Sequence, residues 1–167
     1  LDEKMRIVKE ATKLIFEGDT ILLDSGSTTS LLAKEIKNMH RITVITNALN
    51  IANELLLSNI EVILIGGSLI KETSTLVGPL ADDSLRKISA DKLFMGVDGI
   101  DFERGLSTPN LQEAKTSSVM MEISSETILL VDSSKFGRRS LGVISKVKNI
   151  NKIITTKKLS ESEHRNF

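Results

Sequence analysis

A chain of 167 residues with 22 Lys and Arg against 22 Asp and Glu carries a formal charge of +0. It has room for one ordinary core and no electrostatic grip on a nucleic-acid backbone. With no Trp, no Tyr and five Phe it lacks the platforms on which single-stranded bases stack, and with no Cys and two His, His40 and His164, it excludes disulfides, thiolate chemistry and histidine-rich metal centres.

Residues 2–17 place Met5, Val8, Ala11, Thr12, Ile15 and Phe16 at helical spacing, with Gly18 as the stop, which predicts an amphipathic opening helix. Short, β-branched apolar runs follow at Thr20–Leu23, Ile42–Ile45, Val62–Ile65, Leu93–Val97, Thr127–Val131 and Lys152–Ile154. They are continuous rather than alternating, as expected of strands buried on both faces. Helical segments separate them at Thr29–Lys37, Ala48–Leu57, Leu80–Ile88 and Leu111–Ile123. The expected fold is α/β, a mainly parallel, doubly wound sheet with helices on both faces, forming one domain over residues 1–167. Lys71–Pro79 and Asp101–Asn110 read as polar loops long enough to be functional, and Ser160–Phe167 as a frayed polar end. No apolar stretch nears the roughly 18 residues of a membrane span and nothing resembles a signal peptide, so a cytoplasmic chain with no membrane contact is expected. The start at Leu1 rather than Met suggests a piece of a longer polypeptide.

Parallel strands bring their carboxyl ends to one edge, where the ligand crevice of an open α/β sheet lies. The residues expected there are Asp24-Ser25-Gly26-Ser27-Thr28-Thr29, Thr46-Asn47, Gly66-Gly67, Asp98-Gly99 and Asp132-Ser133-Ser134-Lys135. All but the Lys135 side chain are small, or polar and short. In the first group Gly26 permits close backbone approach while Ser27, Thr28 and Thr29 bring hydroxyls and amides to a helix start, an arrangement that suits an anion. An Asp or Ser between strand and helix is also the ordinary N-cap, and one instance proves nothing. Five converging at one edge favour a site, and Gly66-Gly67 has no capping side chain to offer. Asp24 and Asp98 would repel a phosphate, so their better role is to accept hydrogen bonds from sugar hydroxyls, or to cap. Lys135 either supplies a positive charge to the same edge or is a solvated lysine on a buried stem. Thr20–Ser27 and Thr127–Ser134 both run an apolar strand into Asp-Ser, too briefly to be called a repeat.

Arg104 lies in the loop after Asp98, and Glu113 and Lys115 open a helix, where an acid more often complements the dipole than catalyses. His40 and His164 read as surface residues. There is no Gly-Lys-Ser/Thr phosphate loop, no Gly-x-Gly-x-x-Gly after the first strand, and no histidine base for Ser27.

Together, Asp24-Ser-Gly-Ser-Thr-Thr29, Thr46-Asn47, Ile65-Gly-Gly67, Val77-Gly-Pro79, Gly96-Val-Asp-Gly-Ile-Asp101, Gly105-Leu-Ser-Thr-Pro-Asn110, Glu113-Ala-Lys115 and Asp132-Ser-Ser-Lys-Phe-Gly137 resemble the C-terminal sensor domain of DeoR-family bacterial transcriptional regulators. The resemblance runs over nearly the whole chain. It implies a cytoplasmic repressor whose sensor binds a phosphorylated sugar or related metabolite, without a cofactor, as a homo-oligomer, dimer or tetramer. Operator DNA would be bound through an N-terminal helix-turn-helix absent from this sequence. Such sensors are similar in fold to ribose-5-phosphate isomerase and glucosamine-6-phosphate deaminase. By that likeness Ser27, Thr28 and Thr29 hold phosphate, Asn47 and Gly67 line the pocket, and Asp98, Glu113 and Lys135 face the sugar. The isomerases carry Asp-Gly-Ala-Asp-Glu followed by a lysine and several glycines. Here Asp98-Gly-Ile-Asp101 runs into Phe102, and Gly105–Asn110 stands where the lysine and glycines would be. Glu113 could persist as a base but its partners do not, so binding without turnover is expected. The alternatives are a sugar-phosphate isomerase or deaminase using Glu113, and an oligomerisation domain whose polar strand ends are only caps.

Overall fold

The computed structural model describes residues 2–165. In chain order the elements are α1 (Asp2–Thr12), β1 (Thr20–Leu23), α2 (Ser27–Ile36), β2 (Thr43–Thr46), α3 (Leu49–Leu55), β3 (Glu61–Leu64), β4 (Ser68–Ile70), β5 (Thr75–Val77) and α4 (Pro79–Leu85). They continue with β6 (Ala90–Met95), β7 (Gly99–Asp101), β8 (Gly105–Thr108), α5 (Leu111–Ile123), β9 (Ser124–Leu130), β10 (Gly142–Ser145), β11 (Lys152–Ile154) and α6 (Glu161–His164). The main sheet has six strands in the order β11-β9-β6-β1-β2-β3, every neighbouring pair parallel. The winding leaves β1 in one direction and returns to its other side at β6, so the switch point falls between these two strands.

Strand periodicity sorts the core into two layers. Ile21 and Leu23 of β1, Val44 of β2 and Phe94 of β6 pack with Ile7, Val8 and Ala11 of α1 and with Leu32, Ile36, Ile51 and Leu55 of α2 and α3. Leu22, Ile45, Leu93 and Met95 face the other way, onto Ala81 and Leu85 of α4 and Val119 and Met120 of α5. Both faces are therefore covered over β1, β2, β6 and β9, which is why those strands read as unbroken apolar runs, whereas the edge strand β3, expected to be buried too, leaves Ile63 and Leu64 exposed.

Several expectations need correction. The opening helix stops at Thr12 rather than residue 17, because the next turns tighten to three-residue bonds from the Lys13, Leu14 and Ile15 amides before Gly18 turns at φ +93°. Both expected loops are built around hairpins. Lys71–Pro79 carries β5, paired antiparallel with β4, and Asp101–Asn110 carries β8, paired with β7 and β10 in a three-stranded sheet. Ile100, Leu106 and Ile144 of that sheet join the α4–α5 layer. The tail is not frayed through residue 165: Ser160 and Glu163 form a capping box on α6, and the Lys157–Glu163 ion pair holds the Glu163 carboxyl at about 2. Residues 166 and 167 lie outside the described residues.

Candidate functional site

A cavity of about 260 Å³ opens at the carboxyl ends of β1, β2, β6 and β9. It is near the lower bound, roughly 300 Å³, of ordinary small-molecule pockets and suits a compact ligand. Asp24 sits at its floor beside the switch point. One carboxylate oxygen accepts from the Gly26 amide at 3.2 Å and the Thr29 hydroxyl at 2.9 Å, and the other from the Gly96 amide at 2.9 Å. Burial pushes this carboxyl up to about 6 against those bonds, with Glu113 adding repulsion. Asp24 thus clamps the end of β1 to the end of β6.

The clamp holds Gly26 as the N-cap of α2 with no side chain capping the helix. The first-turn amides are left without an intrahelical partner and in want of acceptors. Ser25, Gly26, Ser27 and Thr28 all border the cavity there, so the positive end of the α2 dipole opens into it.

Asn47 follows β2 and is 3% exposed. Its Nδ2 donates to the Leu76 carbonyl at 2.9 Å, which fixes the amide's orientation, while Oδ1 is buried with no hydrogen-bond partner. A buried acceptor left unpaired costs about 1–3 kcal/mol, and this one belongs to a cavity-lining residue. Across the cavity Asp98 accepts from the Thr108 hydroxyl at 2.7 Å and Glu113 from the Thr73 hydroxyl at 2.7 Å. Asp132 accepts from the Ser134 amide and hydroxyl, capping the 3-10 turn Ser133–Lys135 that brings Lys135 to the wall.

Of the residues expected at the site, Asp24, Ser25, Gly26, Ser27, Thr28, Asn47, Asp98, Glu113 and Lys135 line this one cavity. Thr29, Thr46, Gly66, Gly67 and Gly99 do not. The Thr29 hydroxyl is spent on Asp24 and the Gly26 carbonyl; the Thr46 hydroxyl bonds the Leu23 carbonyl at 2.8 Å and receives the Ala48 amide. Gly67 and Gly99 admit backbone rather than ligand: a Cβ on Gly67 would lie 2.6 Å from the Val77 carbonyl oxygen, and one on Gly99 2.3 Å from that of Arg138. Gly66 has open space where a Cβ would be. Arg104 belongs to the β7–β8 turn, its amide held by Asp101.

Sequence reasoning missed Lys4, which donates from Nζ to the Ser27 hydroxyl at 2.8 Å, and Thr73, Thr75 and Thr108, which enter on the two hairpins. Nothing in the local pattern of α1 distinguishes Lys4 from its other exposed charges. Among the described residues no group of His, Cys, Asp and Glu could hold a metal ion, and no helix is long and apolar enough to cross a membrane. The acids are engaged by hydroxyls and amides, so the chemistry offered is recognition: anion donors at one end, hydroxyl acceptors at the other.

Residues 1–157 match the family model described as the DeoR C terminal sensor domain. The chain is 39% identical over 152 residues to a putative aga operon transcriptional repressor of Escherichia coli O157:H7, covering 90% of this chain and 56% of that protein. It is 36% identical over 155 residues to the HTH-type transcriptional regulator GlpR of Haloferax volcanii, covering 93% and 61%. The chain thus spans less than two thirds of each of these relatives. Among solved structures, ribose 5-phosphate isomerase A of Methanocaldococcus jannaschii superposes with a TM-score of 0.60 at 22% identity, over 81% of this chain and 54% of that one, a likeness of fold. The matched family is one of sensors and its named relatives are regulators, not enzymes.

Proposed function

The chain belongs to the DeoR C-terminal sensor-domain family, and from that premise we propose that it binds a phosphorylated sugar or related metabolite in the cavity and thereby controls a cytoplasmic repressor. The repressor would bind operator DNA through a helix-turn-helix outside this sequence. The observation that carries the reading is the buried, unpartnered Oδ1 of Asn47 in the same cavity as the uncapped start of α2. A phosphate accepts from the amides and hydroxyls of Ser27 and Thr28, and a hydroxyl on the attached carbon chain donates to Asn47. Asp98 and Glu113 hold the remaining hydroxyls.

Charge-assisted hydrogen bonds contribute roughly 1.5–3 kcal/mol each, and three or four of them, after association costs, reach micromolar to millimolar affinity. A coupling of about 1–3 kcal/mol between site and DNA-binding state is enough for control. Self-association as a dimer or tetramer is part of the same proposal. β3 is an edge strand whose Ile63 and Leu64 are 37% and 43% exposed, with Leu57 just before it 97% exposed.

The test is titration calorimetry with ribose 5-phosphate and fructose 6-phosphate against ribose and fructose, with light scattering on the same sample to read its mass. The phosphorylated sugars bind and their parents do not. Ser27→Ala with Thr28→Ala weakens binding on the order of tenfold or more. Equal or absent response to the two sets removes the phosphate claim, and turnover of ribose 5-phosphate lost in Glu113→Gln would restore the isomerase alternative.

A further inference from the structure

The four acids around the cavity are each held by a hydroxyl or amide of the protein: Asp24 by Thr29, Asp98 by Thr108, Glu113 by Thr73, Asp132 by Ser134. Lys4 is placed differently. Its ammonium rests on a neutral hydroxyl, that of Ser27 at 2.8 Å, and among the described residues it pairs with no carboxylate. Ser27 is the first residue of α2, so a full positive charge stands at the positive end of a helix dipole, an arrangement that is unfavourable until an anion lies between them. One residue earlier, Glu3 turns the other way. Its carboxylate accepts from the Ser133 amide at 2.9 Å and from the Thr156 hydroxyl, and these bonds hold it at about 2. Ser133 opens the 3-10 turn that carries Lys135. Adjacent residues of one helical turn therefore fasten to both polar strand ends that follow Asp24 and Asp132.

Resting on the phosphate-binding reading above, we propose that Glu3 and Lys4 make the first turn of α1 a working wall of the effector site. Lys4 is the counter-ion that transfers from Ser27 to the bound phosphate. Glu3 keeps that turn tied to the Ser133–Lys135 segment. Filling the cradle then tightens the start of α1 against both strand ends, and a helix held more firmly when the site is full than when it is empty reports occupancy. The carbon chain of the ligand plays no part in this step, so inorganic phosphate is a sufficient probe.

The experiment is a ¹⁵N NMR titration of the whole chain with inorganic phosphate, followed by amide hydrogen exchange at Arg6, Ile7 and Val8, whose helical bonds close the first turn. In the wild type, phosphate shifts the Ser27 and Thr28 amides and slows exchange at these three positions several-fold. Lys4→Met weakens phosphate binding on the order of tenfold, the loss of one charge-assisted contact, and Lys4→Arg recovers most of it. Glu3→Gln loses the slowed exchange even at phosphate concentrations that saturate the Ser27 and Thr28 amide shifts, because the tie to Ser133 and Thr156 is gone. A merely structural Lys4 would lower the melting temperature without moving the phosphate affinity. If Ser27→Ala with Thr28→Ala weakens phosphate while Lys4→Met leaves it unchanged, or if exchange in α1 ignores phosphate in the wild type, the latch is wrong and the site stands. If the wild type binds neither phosphate nor ribose 5-phosphate, both fall.

Discussion

The ends of β1 and β9 share almost the same residues, Thr-Ile-Leu-Leu-Asp-Ser against Thr-Ile-Leu-Leu-Val-Asp-Ser, and the fold uses them oppositely. Asp132 turns back on its own segment, bonding Ser134, and caps a 3-10 turn of three residues. Asp24 makes the equivalent bond to the Gly26 amide but also reaches across to the Gly96 amide on the neighbouring strand exit, with a ten-residue helix behind it uncapped. The extra Val131 alone does not explain this. β1 lies between β6 and β2, and β9 between β11 and β6, so both exits adjoin the end of β6, and it is the Asp24 carboxylate that takes the Gly96 amide there. A cap satisfies a helix from within, and a clamp leaves the first-turn amides of its helix without a side-chain acceptor.

The largest effect that would break this comparison is on stability. Asp24→Ala strands the backbone amides of Gly26 and Gly96, at a cost on the order of 3 kcal/mol, which lowers the melting temperature by about 6–12 °C. Asp132→Ala removes only a local cap, worth about 1 kcal/mol. Thermal unfolding of both variants checks this, and equal losses would show that the clamp is just another cap.

A pH series sharpens it. Folding raises the Asp24 carboxyl from its ordinary 3.8 to about 6, so the folded chain holds this proton more tightly than the unfolded one. Its contribution is complete below about pH 4 and drains away as the pH rises through about 6, a span on the order of 3 kcal/mol. Glu3, Asp101 and Glu163 are shifted downward and act in the opposite sense, losing stabilisation as the pH falls below the ordinary carboxylate range. The difference between Asp24→Asn and the wild type isolates the first effect. It should move in favour of the variant between pH 4 and 7, and a flat difference would show the carboxyl to be ordinary.

A smaller effect separates the paired glycines. Gly67→Ala forces a Cβ to 2.6 Å from the Val77 oxygen and 3.1 Å from Ala81 Cβ, costing about 1–3 kcal/mol. Gly66→Ala meets open space and should change stability by less than about 0.5 kcal/mol. Neither should alter phosphate affinity of the folded protein, and a calorimetric loss at Gly66 would return that residue to the site.

The four inner strands of the main sheet and the helices between them were legible because burial on both faces leaves continuous apolar runs, with Ile21, Leu22 and Leu23 all fully buried; the edge strand β3 reads the same way although Ile63 and Leu64 are exposed. β4, β5, β7, β8 and β10 were not, since three- and four-residue strands such as Ser68–Ile70 and Gly105–Thr108 are too short to display a period. At the site, Ser27, Thr28 and Asn47 stood out because small polar residues after apolar strands are conspicuous. Thr29 and Thr46 look alike in sequence but turn inward onto Asp24 and the Leu23 carbonyl.

Local periodicity and strand-end chemistry determined the class of fold and the small polar residues that follow its strands, because these follow from residues adjacent along the chain. Only the tertiary structure decided which donors remain free. Whether a hydroxyl or carboxylate is spent depends on partners far away in sequence, as Gly96 is for Asp24 and as Ser27 is for Lys4.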